Sequence, residues 1–305
     1  MTTYQTYQEV GLKEDISDII TNISPRKTPF LTAIGSETVT QPLFQWQEDS
    51  LRAVQGTGNA VVEGADASFI TVAPTVMRNN YTQIFMEAVQ VSGSTEKALA
   101  HGRAREMAYQ MAKSAAALKR DLENALVGTA QSAAAGSSST ARNMAGYQQQ
   151  IAAANITYMG AATNLAETGT NSLVANLQQV FTQGGDPNRI LVTPSNSVII
   201  AAFAQASGRY RVFSNSKSND IVNTVNLYVS PFGEQKVEVD IFLRSKNTLI
   251  FNPDMWSLAT FRSWTRETLA KTGDSIKQMI VGEFSLKHKN YQASGIIVDN
   301  ATSGF

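Results

Sequence analysis

The 305-residue sequence contains no cysteine, which excludes disulfide bonds, thiolate nucleophiles and cysteine-bound metal sites. It also has no run of the roughly 20 consecutive apolar residues that a membrane-spanning helix requires. Residues 1–10 are polar and aromatic, without the charged segment and apolar stretch of a signal peptide. We therefore expect a protein with no membrane partner that is made and folded in the cytoplasm.

Charged side chains are scarce and balanced. They make up 16% of the chain, below the roughly 25% of an average protein, and 25 basic residues are matched by 25 acidic ones. A zero net charge removes the strongest sequence argument for a nucleic-acid-binding protein, which usually has a basic excess. A low fraction of charge suits a protein whose surface is largely covered by copies of itself.

The sequence has no recognisable catalytic or cofactor motif. Its two histidines, His101 and His288, lie far apart without a partner motif, and no Gly-x-Ser-x-Gly elbow of a serine hydrolase occurs. The glycines at 56–64 do not follow the Gly-x-Gly-x-x-Gly spacing, and Lys271–Ser275 lacks the upstream glycine of a P-loop. We predict no catalytic, cofactor-binding or metal-binding residue and no cofactor, and we expect that the protein is not an enzyme.

Two weaker patterns leave alternatives open. Asp15 and Asp18, or Glu48 and Asp49, could bind a cation, but solvation of a helix face and docking of an arm explain these acids better. The mixture of bases and aromatics between Arg209 and Lys217 is found in single-strand nucleic-acid binders, but the chain around it has no basic excess. We favour the structural interpretation of both patterns.

Residues 11–24 predict a short amphipathic helix. Leu12 and Ile16, followed by two further isoleucines, recur at helical spacing, and charged side chains fill the other face. Pro25 follows and ends the helix. Because a helix this short is marginal alone, it needs a surface to lie against, either its own core or a neighbouring molecule.

Residues 31–93 predict a long irregular hairpin. Phe44 and Trp46 alternate with glutamines, and residues 81–91 alternate again, which is the period-two pattern of strands. Glycines interrupt the stretch between these limbs. Six acidic residues against two basic ones give the segment a charge of −4 in a neutral protein. A long acidic arm with few core-forming residues near its tip is typical of a docking arm rather than of a domain.

The most regular pattern lies between Ser94, a good N-cap, and Gly128, a good helix end. Apolar residues between them keep to one face, and a single helix over this range would be about 50 Å long, a structural spine. Residues 129–146 are rich in small residues and predict a flexible connection. The remaining patterns predict helices at 172–183 and 195–206 and strands at 189–193, 225–229, 236–242, 248–251, 256–261, 277–289 and 295–298. Together they predict an α+β protein with two lobes and projecting arms.

A series of short motifs runs in order along the chain. The N-terminal half carries GLKEDISDII at 11–20, NISP at 22–25, TPFL at 28–31, WQEDSL at 46–51 and VVEGAD at 61–66. The later part adds LKRD at 118–121, LAKTGDS at 269–275, KN at 289–290 and ASGI at 293–296. Together these motifs resemble the major capsid proteins of tailed bacteriophages (Caudoviricetes). The resemblance covers nearly the whole chain, which makes it more specific than any single motif.

The resemblance implies the α+β Hong Kong 97 fold. That fold combines an N-terminal arm, an extended-loop hairpin, a peripheral domain with a long spine helix, and an axial domain. We assign the N-terminal arm to residues 1–30 and the extended loop to 31–93. We expect the peripheral domain at 94–140 and 262–293, and the axial domain at 141–261 and 294–305, with the C-terminal strand in the latter.

The resemblance also implies a virion component that assembles in the cytoplasm of a bacterial host. Copies of the chain are expected to form hexamers and pentamers of an icosahedral shell around a double-stranded DNA genome, which they contact non-specifically. A separate scaffolding protein and a portal are expected partners, because arm sequence begins within about ten residues of Met1 and leaves no room for a cleaved scaffolding segment. The alternative is an encapsulin-like nanocompartment shell protein with the same fold.

We expect a set of residues in the arm, the extended loop and the spine helix to contact neighbouring subunits. Complementary charge suggests that Glu63 and Asp66 at the hairpin tip form salt bridges with arginines of a neighbour's spine helix. The predicted contact residues are Leu12, Ile16, Trp46, Glu48, Asp49, Arg52, Glu63, Asp66, Arg103 and Arg105.

The extended loop lacks the donor for a covalent cross-link between subunits. Some members of the family link a loop lysine to a neighbour's asparagine, but no lysine occurs here between Lys27 and Lys97. We therefore predict that particles boiled in detergent release only monomers on a denaturing gel. A ladder of linked subunits would contradict this prediction.

Overall fold

A computed structural model describes residues 27–56, 58–67, 69–98, 105–159, 164–206, 227–244 and 246–299. In these ranges the strands are β1 (Gly35–Thr38), β2 (Leu43–Glu48), β3 (Val76–Tyr81), β4 (Gln83–Ser92), β5 (Ile156–Tyr158), β6 (Arg189–Val192), β7 (Leu227–Ser230), β8 (Gly233–Val239), β9 (Thr248–Phe251), β10 (Trp256–Thr268), β11 (Ser275–His288) and β12 (Gly295–Val298). The helices are α1 (Pro29–Ala33), α2 (Gly93–Lys97), α3 (Glu106–Glu123), α4 (Leu173–Thr182) and α5 (Pro194–Ala206). The chain is therefore of the α+β class that the sequence predicts.

A four-stranded sheet with the order β1-β10-β11-β4 forms one lobe. Strands β10 and β11 are long and antiparallel, and β4 pairs along most of β11. Helix α3 packs on one face of this sheet, because Met107, Met111 and Leu118 point into a shared core with Phe85 and Phe284. The predicted apolar stripe of the spine helix is confirmed in this contact.

A six-stranded sheet with the order β5-β12-β9-β6-β8-β7 forms the other lobe. Its central strands are continuous apolar runs, such as Ile190–Val192 and Leu249–Phe251, and are buried on both faces. Runs of this kind are typical of strands covered on both sides. Helix α4 covers one face through Leu173 and Leu177.

Four aromatic rings join the two lobes. Phe30 of α1 lies 5.2 Å from Phe251 of β9 and 5.9 Å from Trp256 of β10, measured between ring centroids. Tyr147 stacks on Trp256 at 4.5 Å, and its hydroxyl donates to the carbonyls of Ile250 and Gly295. Edge-to-face and stacked pairs contribute about 1 kcal/mol each beyond their buried area, so this cluster fixes the lobes to each other.

The predicted single helix from Ser94 to Gly128 is wrong at its start. Helix α2 ends at Lys97, Ala98 and Arg105 are extended, and α3 begins at Glu106. The carboxylate of Glu96 accepts the N–H of Met107 at 2.9 Å and thereby caps α3 from a separate turn. With the π-helical turn that follows it, α3 runs to Gly128, so this spine is about 35 Å long.

The hairpin spans fewer residues than the predicted range of 31–93. Only β2 and β3 pair with each other, whereas β1 pairs with β10 and β4 pairs with β11. The predicted flexible connection at 129–146 is also partly wrong. Its last residues, Met144 and Ala145, are buried in the core, and Ala134 pairs with Asn143.

Leu122 tests the packing of α3, because its side chain is almost fully buried in the main core. We predict that Leu122→Ala lowers the free energy of unfolding by about 2–5 kcal/mol, since it leaves a cavity. The matched control Leu51→Ala changes an exposed leucine and should change the stability by less than about 0.5 kcal/mol. Urea unfolding of the unassembled full-length chain measures both, and equal losses would contradict the packing described here.

Candidate assembly surface: a projecting hairpin and its root

Strands β2 and β3 form a separate two-stranded hairpin. They pair antiparallel from Leu43 opposite Tyr81 to Glu48 opposite Val76. The described residues of 49–75, called here the hairpin tip, contain no helix or strand. A two-stranded hairpin is marginally stable by itself, so its geometry depends on what holds its base.

The hairpin tip exposes an unusual amount of apolar surface. Leu51 and Phe69 are each 99% exposed. The other large apolar side chains that the tip exposes are Val54, Val61, Val62, Ile70 and Val72. Extended apolar surface of this kind marks an interaction site, and burial of one such side chain is worth about 1.5–3 kcal/mol. Burial of these side chains on another surface would therefore be favourable.

Charge and backbone geometry shape the hairpin tip further. Asp49, Glu63 and Asp66 are exposed there together with one base, Arg52. This leaves an excess of two negative charges on the described residues of the tip. Gly64 has a φ of +80°, a backbone conformation that residues with a side chain rarely adopt, so this turn of the loop favours glycine.

The base of the hairpin packs on its own chain. Phe44 stacks on Trp46 with ring centroids 5.5 Å apart, and both rings are buried against Ala259 of β10. On the other limb, Arg78 donates to Glu48 at 2.8 Å and lies 4.2 Å from the ring centroid of Tyr291. The base is therefore fixed by stacking and by one charged hydrogen bond.

Thr82 marks the root of the hairpin, where the chain passes from β3 into β4. It is fully buried, and its N–H donates to the carbonyl of Pro42, which closes the hairpin on the other limb. Its hydroxyl donates to Glu283 of β11 at 2.6 Å. The change of strand partner at this residue is therefore tied directly to the four-stranded sheet.

Glu283 is a buried acid at the root of the hairpin and pairs with two arginines. Its carboxylate is 2% exposed and accepts hydrogen bonds from Arg142, in the segment after α3, and from Arg262 of β10 at 3.0 Å. Arg142 also donates from Nε to the carbonyl of Thr82 at 2.6 Å. A buried carboxylate with two cationic partners and a hydroxyl donor has its charge compensated. The cluster therefore fixes the direction in which the hairpin leaves the sheet.

The side-chain amides of Asn80 and Gln150 are also buried at the root of the hairpin. Asn80 donates from Nδ2 to the carbonyl of Leu286 at 2.7 Å and accepts the N–H of Ala145 at 2.8 Å. Asn80 also donates to the carbonyl of Ala145 at 3.3 Å. Gln150 donates to the same carbonyls of Ala145 and Leu286, and accepts the N–H of His288. Because each amide serves as donor and acceptor at once, the segment around Ala145 is held against the hairpin and β11 together.

A second buried carboxylate clamps the start of the described chain. Glu123 accepts the N–H groups of Phe30 at 2.7 Å and of Leu31 at 2.9 Å. Burial, and after it the nearby carboxyl of Asp240, raises the pKa of Glu123 to about 8. Burial also raises the pKa of Asp240, whose carboxyl lies close to that of Glu123. The pair is therefore built to share a proton at neutral pH.

His288 is a core residue and not a reactive group. Its ring stacks on Trp256 with centroids 3.9 Å apart, and its two nitrogens meet the carbonyl of Gln150 at 2.7 Å and the hydroxyl of Ser294 at 3.0 Å. Burial lowers the pKa of His288 to about 3, so the ring is neutral at physiological pH. The sequence interpretation of this histidine as a strand position is confirmed. His101 lies outside the described residues.

The predicted contact residues fall into three groups. Leu12, Ile16 and Arg103 lie outside the described residues. Trp46 and Glu48 are engaged within their own chain at the base of the hairpin. The remaining ones are exposed, with Asp49, Arg52, Glu63 and Asp66 on the hairpin tip and Arg105 at the start of α3. The structure does not bring the tip acids and Arg105 together by any contact within the chain, and contact with a neighbour remains a prediction.

The residues that hold the root were not singled out from the sequence. Glu283 lies 141 residues from Arg142 and 201 from Thr82, so no local pattern links them. A charged residue within the apolar alternation of β11 was the available signal for Glu283. For Glu123, the signal was an acid near the C-terminal end of a helix, where a negative charge is unfavourable without a partner.

Neither a metal site nor a membrane-spanning helix is found in the described ranges. No group of three or more histidine, aspartate or glutamate side chains could hold a metal ion there. No helix in the same ranges is long and apolar enough to cross a bilayer.

Comparison with known proteins gives one family over nearly the whole chain. The family model described as SU10 major capsid protein matches residues 1–301. The major capsid protein of Escherichia phage Phieco32 is 29% identical over 342 aligned positions, which cover 97% of this chain and 96% of that protein.

Solved structures share the architecture at low sequence identity. The capsid of a native GTA particle matches with a TM-score of 0.66 and 13% identity, covering 94% of each chain. A holo-encapsulin complex from Synechococcus elongatus matches with a TM-score of 0.58 and 8% identity, covering 92% of each chain. At such identities the likeness concerns the fold alone. It confirms the predicted Hong Kong 97-type fold.

Glu123→Gln tests the shared proton, because glutamine imitates the protonated acid and does not titrate. Because the pKa of Glu123 is higher in the folded protein than in the unfolded chain, its protonation stabilises the folded state, and this effect is fully present at low pH. The stabilisation is lost as the pH rises through about 8. We predict that the melting temperature of the wild type falls relative to that of Glu123→Gln between about pH 5 and 9. The exposed control Glu234→Gln should keep the pH dependence of the wild type. Parallel curves for wild type and Glu123→Gln would contradict the assignment.

Proposed function

We propose how this chain builds a shell, starting from the fact that it belongs to the SU10 major capsid protein family and is the major capsid protein of a phage. It is a structural component of the virion that assembles with copies of itself, and it is not an enzyme. The family match favours this function over the encapsulin-like alternative, whose likeness at 8% identity concerns the fold only. What remains to be assigned is which surface joins the copies.

The lobes and arms correspond to parts of the capsid fold as follows. We assign residues 43–81 to the extended loop, because only β2 and β3 pair with each other. This range is shorter than the 31–93 predicted from the sequence. The four-stranded sheet with α3 is the peripheral domain, and the six-stranded sheet with α4 and α5 is the axial domain. Residues 1–30 remain the N-terminal arm of the proposal.

The hairpin tip docks on a neighbouring copy. The observation that supports this is its set of seven exposed apolar side chains at the end of a hairpin whose root is locked by Glu283. Because the tip and the surface that receives it are different patches, the contact is heterologous and closes rings when repeated. A standard interface buries roughly 1,600 Å², and a subunit that both gives and receives a tip makes two such contacts.

Rings of this kind are the hexamers and pentamers of an icosahedral shell around double-stranded DNA. The chain has zero net charge, so contact with the genome is weak and non-specific. A separate scaffolding protein and a portal take part in assembly in the host cytoplasm. Leu12 and Ile16 of the arm, and Arg52 and Asp49 of the tip, belong to the proposed contacts between copies.

Charge guides the same docking. The tip carries exposed Glu63 and Asp66 and has a net negative charge, whereas Arg105 is exposed at the start of α3. We assign salt bridges from Glu63 and Asp66 to Arg103 or Arg105 of the neighbouring copy. Opposite charges across an interface fix its register more than they add affinity.

The apolar tip can be tested by a double substitution. We predict that Val61→Asp with Val62→Asp lowers the yield of closed particles at least roughly tenfold, since each lost valine contact costs about 1.5 kcal/mol. The subunit should keep its melting temperature, because both side chains are exposed in the single chain. Co-expression with the scaffolding protein, followed by gradient sedimentation and electron microscopy, measures the yield.

A matched control separates docking from general surface charge. Val198→Asp with Val229→Asp changes two exposed valines outside the hairpin and should leave the yield unchanged. Equal yields from the tip variant and the wild type would contradict docking through the tip while leaving the family assignment intact.

The salt bridges can be tested by charge reversal. We predict that Glu63→Lys with Asp66→Lys impairs assembly and leaves the subunit folded, because like charges then meet across the interface. Reversal of Arg103 and Arg105 to glutamate in the same chain should restore particles. The control Glu234→Lys with Asp254→Lys reverses two other exposed acids and should assemble normally. Normal particles from the tip variant alone would contradict the pairing.

A further inference from the structure

A basic cleft lies where the described chain begins. It has a volume of about 480 Å³ and is lined by the entry to α1, by α3 and by the strands β6 and β8. The cationic side chains in its lining are Lys27, Lys119, Arg189 and Lys236, and its one carboxylate belongs to Glu238. The cleft therefore has an excess of three positive charges in a protein of zero net charge.

Half of this positive charge has no counter-charge in the described part of the chain. Glu238 accepts from Arg189 at 3.0 Å and from Lys236 at 2.5 Å, so a single carboxylate serves two cations. No carboxylate of the described residues pairs with Lys27 or Lys119. Like charges gathered in a cleft repel each other, so an anionic occupant would stabilise this arrangement.

The segment that leads into the cleft is acidic. Residues 1–26 carry four acids against Lys13 and Arg26, and three of the acids, Glu14, Asp15 and Asp18, are close together. In the predicted helix at 11–24, Glu14 and Asp18 lie one turn apart and share a face. The apolar stripe that begins with Leu12 lies on the opposite face.

We propose that the acidic face of residues 11–24 occupies the basic cleft of its own chain, with Glu14 and Asp18 next to Lys27 and Lys119. Asp18 and Lys27 are nine positions apart, and an extended chain of that length spans up to about 30 Å. So short a tether gives the segment a high effective concentration at its own cleft, which favours it over the segment of another copy. With its acids in the cleft, the helix turns Leu12 and Ile16 away from its own chain. That these two residues then meet a neighbour rests on the proposed function, whereas the docking itself does not.

The cleft suits this occupant better than nucleic acid. Its volume accommodates a few carboxylate side chains rather than a duplex. The four cations also come from separate elements that converge on one point, whereas contacts to a DNA backbone extend along a strip.

Proximity can be measured by cross-linking, because the natural chain has no cysteine and any introduced pair is unique. Ser17→Cys, which keeps both acids, is combined with Thr32→Cys, an exposed position in the lining of the cleft, and the full-length protein is treated with a short bis-maleimide. The control combines Ser17→Cys with Ser139→Cys, an exposed position outside the cleft. Peptide mass spectrometry and denaturing gels then separate links within one chain from links between chains.

We expect the cleft pair to form the intramolecular link at least roughly tenfold more than the control pair, owing to its higher effective concentration. The yield should fall severalfold when salt is raised, since the contact is between exposed charges. A yield equal to the control would overturn the docking, and a ladder of linked chains would overturn its assignment to the same chain. A link that forms in empty particles and is absent from DNA-filled ones would overturn it in favour of nucleic acid. Each of these results leaves the docking of the hairpin tip untouched.

Discussion

Glu283 ties the root of the hairpin to the four-stranded sheet. Its buried carboxylate meets Arg142, Arg262 and the hydroxyl of Thr82, which come from three distant parts of the chain. A buried ion cluster adds little net stability compared with well-packed apolar residues, but loss of one partner is costly because the remaining charge is left uncompensated. The cluster therefore defines an orientation: the hairpin leaves the four-stranded sheet at a fixed angle, and its tip is presented at a defined distance from the core.

The exposed hairpin tip is the feature that the proposed docking on a second copy explains. A side chain such as Phe69, fully exposed in the single chain, contributes nothing to the stability of the subunit and raises the risk of aggregation. In the proposed docking, burial on a neighbour removes that cost and stabilises the assembly. Because the loop has no lysine for a covalent link, the proposed shell depends on the sum of many such contacts. The aromatic cluster around Trp256 joins the two lobes of the subunit that makes those contacts.

Helices and strands with a regular apolar pattern could be predicted from the sequence, whereas contacts between residues far apart in the chain could not. The stripe of α3 and the buried strands β6, β9 and β12 follow from periodicity and apolar runs, because burial imposes both. The break before α3 depends on Glu96 reaching Met107, a tertiary contact with no local signature. Alternation placed Phe44 and Trp46 on one face of a strand, but it could not tell whether that face meets a neighbour or, as found, Ala259 of the same chain. Glu283 was not predicted, because its partners Arg142 and Thr82 lie far from it in the sequence.

The structure of an assembled particle by cryo-electron microscopy tests the central claim most directly, because it shows what covers residues 49–75. The account predicts that Leu51, Val61, Val62 and Phe69 are buried against an adjacent copy, while Thr82 and Glu283 keep the contacts described here. A particle in which the tip remains in solvent, or folds back on its own subunit, would contradict the account even though the chain still forms a shell.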